Sequence, residues 1–135
     1  MNAMSDYFHG EREHLLRTAD MIEQLLGKPS LSDYEVIAMG KLLQDTYTGI
    51  ERILRGRLEA ANVKIKKTEN WHKELLLAAR DKTLISEEQF EGFKKLLLFR
   101  HMQTHGYGYR LEEERLLELA APIPATCRKF LTDIL

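Results

Sequence analysis

The stretch SDYEVIAMGKLLQDTYTGIERILRGRLEAA, residues 32–61, decides the fold class. Val36, Met39, Leu43, Tyr47, Ile50, Leu54 and Leu58 recur along it at three- and four-residue spacing. That spacing lines apolar side chains along one face of an α-helix. Ser32 followed by Glu35 matches a capping box, in which each side chain accepts from the other residue's backbone N–H. One long helix is therefore expected, starting at this box and reaching about Ala61. Upstream, Phe8, Leu15, Ala19, Ile22 and Leu26 form a second such stripe, ended by Gly27 and Pro29. Downstream, residues 62–69 are polar and lysine-rich and read as a solvated loop. Asn70 is placed to cap a short third helix through Arg80, and Ser86 with Gln89 repeats the capping box for a fourth running to about Thr104. Gly106 and Gly108 interrupt the pattern. A last helix begins near Glu112 and must kink or restart at Pro122 and Pro124, because proline lacks the helical donor.

No stretch alternates apolar and polar residues as a half-buried strand would. Short connections between helices favour antiparallel neighbours. The expectation is an all-α protein, an antiparallel up-and-down bundle of four to five helices, forming a single domain over residues 1–135. Leu96, Leu97, Leu98 and Phe99 are consecutive and point all round the fourth helix. Such a helix is expected to be buried on every side. Two arrangements would achieve that: the helix lies at the centre of the bundle, or a partner subunit covers its outer face.

Composition narrows the function classes. Apolar residues make up 44% of the chain and charged ones 30%, which suits a folded soluble domain. The net charge of −1 excludes a generally basic nucleic-acid binder, so any such contact must come from a local patch. With one cysteine, Cys127, no intrachain disulfide can form, and that residue reads as a small buried side chain. No apolar run approaches the roughly 20 residues that span a bilayer. The first ten residues lack the pattern of a signal peptide. A cytoplasmic protein with no membrane contact is expected.

The chemistry concentrates in Arg100-His101-Met102-Gln103-Thr104-His105-Gly106-Tyr107-Gly108-Tyr109-Arg110. A helix end carrying an arginine, two histidines and two tyrosines beside two glycines suits an active-site rim. Arginine grips phosphate through a planar, permanently charged fork. Histidine moves protons near neutral pH. On one ideal helix Arg100 and His105 would project about 140° apart. They converge only if the helix ends between them, or if two subunits share one cleft. As bare sequence, an arginine and a histidine near a helix end are more often surface groups. His101 and His105 share a helical face and could chelate a metal, but no third ligand stands out, so neither a metal nor another cofactor is expected. Tyr47 and Glu51 lie one turn apart and would support the site if the second and fourth helices pack together. The plainer reading puts Tyr47 in the core and pairs Glu51 with Arg55 on the surface. Trp71 reads as a core anchor and His72 as a partner of neighbouring acidic residues. Lys64, Lys66 and Lys67 form either a solvated loop or a patch that steers nucleic acid. Phosphate-binding glycine loops, nucleophile elbows and CxxC pairs are absent from the sequence.

These residues resemble the HepT toxins of the HEPN superfamily. Arg100-x4-His105-x-Tyr107 looks like their RX4HXY motif. Its surroundings, Phe99-Arg100-His101, His105-Gly106-Tyr107-Gly108 and Leu111-Glu112-x-Glu114-Arg115, also look like the family pattern. So do Tyr47-Thr48-Gly49-Ile50-Glu51-Arg52 and Trp71-His72-x-Glu74-Leu75-Leu76 upstream, so that the likeness spans about residues 34–120. The resemblance implies a helical bundle that pairs as a homodimer, with the motif at the dimer cleft. It implies metal-independent endoribonuclease activity, with Arg100 holding the scissile phosphate and His105 as general acid or base. It further implies a nucleotidyltransferase antitoxin that transfers AMP to Tyr107, where added bulk and charge would repel RNA. An alternative within the same resemblance is a non-catalytic protein that serves that nucleotidyltransferase as substrate-binding or scaffolding partner. A helical dimer with no nucleic-acid role is a third reading.

Overall fold

The box at the start of the long stripe closes as its spacing predicts. Ser32 N–H donates to Glu35 Oε1 at 2.9 Å, and Glu35 N–H donates to Ser32 Oγ at 3.2 Å. Two donors that no helical carbonyl can reach are thereby satisfied. The computed structural model describes residues 3–104 and 113–134, and among them all regular structure is helical. In chain order the helices are α1 (Ala3–Leu26), α2 (Asp33–Ala60), α3 (Trp71–Asp81), α4 (Glu87–Thr104), α5 (Glu113–Ala120) and α6 (Ile123–Asp133).

The ends follow local chemistry. Asn62 takes φ 60°, a left-handed conformation that asparagine tolerates, and Val63 N–H reaches back to Leu58 O at 2.8 Å to close α2. Ser86 and Gln89 form the second box, with bonds of 2.9 and 3.0 Å, and launch α4. Asn70 does stand at the start of α3, but its side chain makes no capping bond, contrary to expectation. The last segment restarts at its prolines. α5 stops at Ala120, and Pro124 lies in the first turn of α6, where a missing N–H costs nothing.

Pairings along α1 and α2 descend in opposite order: Phe8 meets Arg57, Glu11 meets Arg52, and Leu15 lies against Gly49. The two helices are therefore antiparallel. α4 and α6 are likewise antiparallel, with Gln89 against Asp133 and Phe93 against Phe130. Both stripes read from the sequence point into the core. Leu15, Ala19 and Ile22 of α1 are buried, as are Met39, Leu43, Tyr47, Ile50, Leu54 and Leu58 of α2. Leu75, Leu76 and Ala79 of α3, Phe93 and Leu96 of α4, and Cys127 and Phe130 of α6 complete that core. Trp71 is only partly buried and packs at its edge.

The fourth helix departs from expectation. Leu96 and Phe99 are buried, but Leu98 is 61% exposed. Within one chain α4 is thus covered on one side and open on the other, so the first of the two arrangements does not hold. Among the described residues no helix is long and apolar enough to cross a membrane.

Candidate functional site

The core stripe of α2 does not end in hydrocarbon. Tyr47 is fully buried, and Glu51, one turn on, is 7% exposed on the same face. A buried carboxylate needs a partner, because losing its hydration is costly. Its partner is His72 of α3, whose Nδ1 lies 2.5 Å from Glu51 Oε2. The expected Glu51–Arg55 pair does not form. Arg55 instead faces Glu59 at 3.9 Å and lies 5.4 Å from the centre of the Trp71 ring. The reason is the rotation of α2: Glu51 shares the inward face with Tyr47 and Leu54, so solvent-side arginines cannot meet it.

His72 is held from two directions. Its ring lies against that of Trp71, with centroids 3.7 Å apart and planes 31° from parallel, while Glu51 takes its Nδ1 edge. An ionised Glu51 carboxylate only accepts, which assigns the bridging hydrogen to Nδ1 in that state. Nε2 is left on the opposite edge, and the side chain is 29% exposed.

Arg100 enters the same cluster from α4. Its guanidinium carbon sits 5.8 Å from the centroid of the Tyr47 ring, within the reach of a cation–π contact. The packing of α2 against α4 that the supporting role of Tyr47 required is therefore present. The Tyr47 hydroxyl is buried with no hydrogen-bond partner of proper geometry among the described residues. Burial first, and the Glu51 carboxylate second, raise its pKa far above the usual phenol value, against the opposing pull of Arg100. The phenol is protonated at every physiological pH.

The structure thus brings Tyr47, Glu51, His72 and Arg100 together where α2, α3 and α4 meet. His101 follows Arg100 on α4 and is exposed on the open side of the helix. His105 and Tyr107 lie outside the described residues. Among the described residues no group of three His, Cys, Asp or Glu side chains could hold a metal ion. Cys127 is buried on α6 with its thiol pushed up to about 12 by burial, away from this cluster and unsuited to nucleophilic work.

Sequence reasoning assigned His72 no place in the site. One signal was available, since a carboxylate four residues after a core tyrosine must find a cation or donor. Which one it finds is a tertiary fact, set by the approach of α3 across the loop of residues 61–70.

Comparison with known proteins adds one positive finding. A family model described as HepT-like protein matches residues 38–135, a span that includes Arg100 and the His105-x-Tyr107 sequence. No curated protein and no solved structure matches the chain.

Proposed function

The chain belongs to the HepT-like protein family, and from that premise we propose that it is an endoribonuclease toxin that cleaves RNA without a metal ion. The observation that carries this reading is the setting of Arg100. Its guanidinium is held over a buried tyrosine at the end of α4, beside a carboxylate–imidazole pair, and His105 and Tyr107 follow at the family spacing. A fixed guanidinium of this kind grips a phosphate bidentately and offsets charge that builds on it in the transition state.

In the proposed reaction the ribose 2′-oxygen bonds to phosphorus and the bond from phosphorus to the 5′-oxygen breaks. His105 handles the proton, taking it from the 2′-hydroxyl or giving it to the departing oxygen. Tyr47 and Glu51 support the site from α2, and His101 borders it. The open face of α4 around Leu98 suits a second copy of the chain, which would place two Arg100–His105 sets in one cleft. A nucleotidyltransferase antitoxin adding AMP to Tyr107 would switch the nuclease off in the cytoplasm, where both partners would act.

The test is cleavage of total tRNA in EDTA by wild type, Arg100→Ala and His105→Ala. Wild type is expected to cleave, and each substitution to slow it by at least about 100-fold, the usual scale for a general acid–base group. Intact RNA with wild type, together with no mass adduct on Tyr107, would exclude the nuclease.

A further inference from the structure

A groove runs between α3 and α4 on the far side of the Glu51–His72 pair. His72 and Lys73 line it from α3, Lys94, Lys95 and His101 from α4, and Glu69 stands at its mouth. Three lysines and two imidazoles thus line it with one carboxylate, in a chain whose net charge is −1, and one of the lysines, Lys94, also pairs with Glu91 at 3.4 Å. All three lysines are exposed. Leu97 gives the groove an apolar floor, and the exposed Leu98 stands at its rim, bordering the face proposed for a second copy.

The groove neighbours the Arg100 site along two helices. Leu97 lies one helical turn before Arg100, so the groove edge and the guanidinium are neighbours on α4. On α2 the two are linked again, because His72 contacts Glu51 and Arg100 contacts Tyr47, one turn apart. Before the same end of α3, Lys67 Nζ lies 5.9 Å from the Trp71 ring, which extends the cationic path toward the loop carrying Lys64 and Lys66.

From this we infer that the α3–α4 groove is a binding track for the sugar–phosphate backbone of single-stranded RNA next to the phosphate held by Arg100. The inference rests on the ribonuclease reading for the identity of its ligand. Flexible lysines supply charge to successive phosphates, while His72, fixed by Glu51, supplies one contact of defined direction. The leucine floor meets ribose and base faces, as single-strand binding grooves require. An acidic protein segment would satisfy the lysines alone. RNA also accounts for their nearness to a phosphate-gripping arginine.

The test separates binding from cleavage. A fluorescein-labelled 2′-O-methyl RNA oligonucleotide, which has no free 2′-hydroxyl to attack, is titrated with the full chain at several salt concentrations and read by anisotropy. The variant carries Lys73→Ala, Lys94→Ala and Lys95→Ala, all at exposed positions, with its fold checked by circular dichroism. Loss of three phosphate contacts should weaken binding at least about tenfold and flatten the log–log salt slope by about 2. Wild-type affinity and slope in the variant would overturn the groove, whether or not ordinary RNA is cleaved. Binding by wild type that the variant loses, without cleavage of ordinary RNA, would uphold the groove and remove the nuclease. If wild type binds no oligonucleotide while the variant changes the sedimentation of the chain, the groove is a contact between copies and the inference falls.

Discussion

Gly49 sits where α2 crosses α1, and a methyl group there has nowhere to go. A Cβ at this position would lie 2.7 Å from Leu15 Cδ2 and 2.9 Å from its Cγ, and Leu15 is fully buried. Replacing glycine by alanine inside a helix ordinarily gains about 1 kcal/mol. Forcing a buried leucine aside costs about 1–3 kcal/mol, and that term wins. Gly49→Ala is therefore expected to lower the melting temperature. Gly56, seven residues on in the same helix, meets nothing within 4 Å. Gly56→Ala should raise stability by about 0.5–1 kcal/mol. Thermal melts of the two variants decide the matter, and equal shifts would show that propensity alone governs both. At this scale the sequence was readable wherever a residue's role is local or simply apolar, as for Tyr47 and Cys127 in the core. It was silent on Gly49, whose need for smallness comes from a helix thirty-odd residues away in the chain, and on the choice of His72 by Glu51.

Helix starts show the same division between local and distant causes. Ser32 and Ser86 were identified from a serine and a partner three residues later, and both boxes close. Asn70 has the right side chain in the right place, but its backbone takes φ −109° and ψ 26°, outside the extended region usual for a helix cap, and its side chain makes no capping bond. Ser86→Ala is thus expected to cost about 1 kcal/mol in urea denaturation. Asn70→Ala should stay within about 0.5 kcal/mol of wild type. A large loss at Asn70 would contradict the observed cap geometry. The leucine run left two arrangements open for a related reason. Periodicity tells which residues are apolar, whereas coverage depends on the neighbours, and one chain has too few to cover Leu98.

For the whole molecule, the tail of α6 is tied to the rest by charge. Asp133 accepts from Lys129 at 2.8 Å and from Gln89 of α4 at 3.3 Å, and Arg128 reaches Asp20 and Glu23 of α1. The Lys129 ammonium holds the Asp133 carboxyl below its ordinary value of 3.8, and Lys28 with the Ser32 backbone holds Glu35 below 4.5. A carboxyl with a depressed folded-state pKa adds stability above the unfolded value and loses it as pH falls through the folded one. The melting temperature should therefore fall as pH drops below about 4.5, and Asp133→Asn should flatten part of that slope. An unchanged slope would mean that these exposed pairs contribute nothing, as many surface pairs do. The bundle itself was legible throughout, since each of the six helices among the described residues starts or stops within a residue or two of a cap, glycine or proline signal. Of the Tyr47, Glu51, His72 and Arg100 cluster, the approach of Tyr47 and Glu51 to Arg100 was legible as a condition on helix packing, whereas the entry of His72 from α3 was not, because it is decided only after packing.

The lone hydroxyl of Tyr47 has a consequence for how durable this protein can be. Among the described residues this hydroxyl has no acceptor of good hydrogen-bond geometry, only the nearby Glu51 carboxylate. A poorly satisfied buried donor costs up to about 1–3 kcal/mol, and Tyr47→Phe removes it while keeping the ring beneath Arg100. The variant is expected to melt at a higher temperature and to cut RNA more slowly. That outcome would make the oxygen a concession of robustness to activity, and Tyr47 the position at which directed evolution for heat tolerance alone would be expected to erode the proposed activity first.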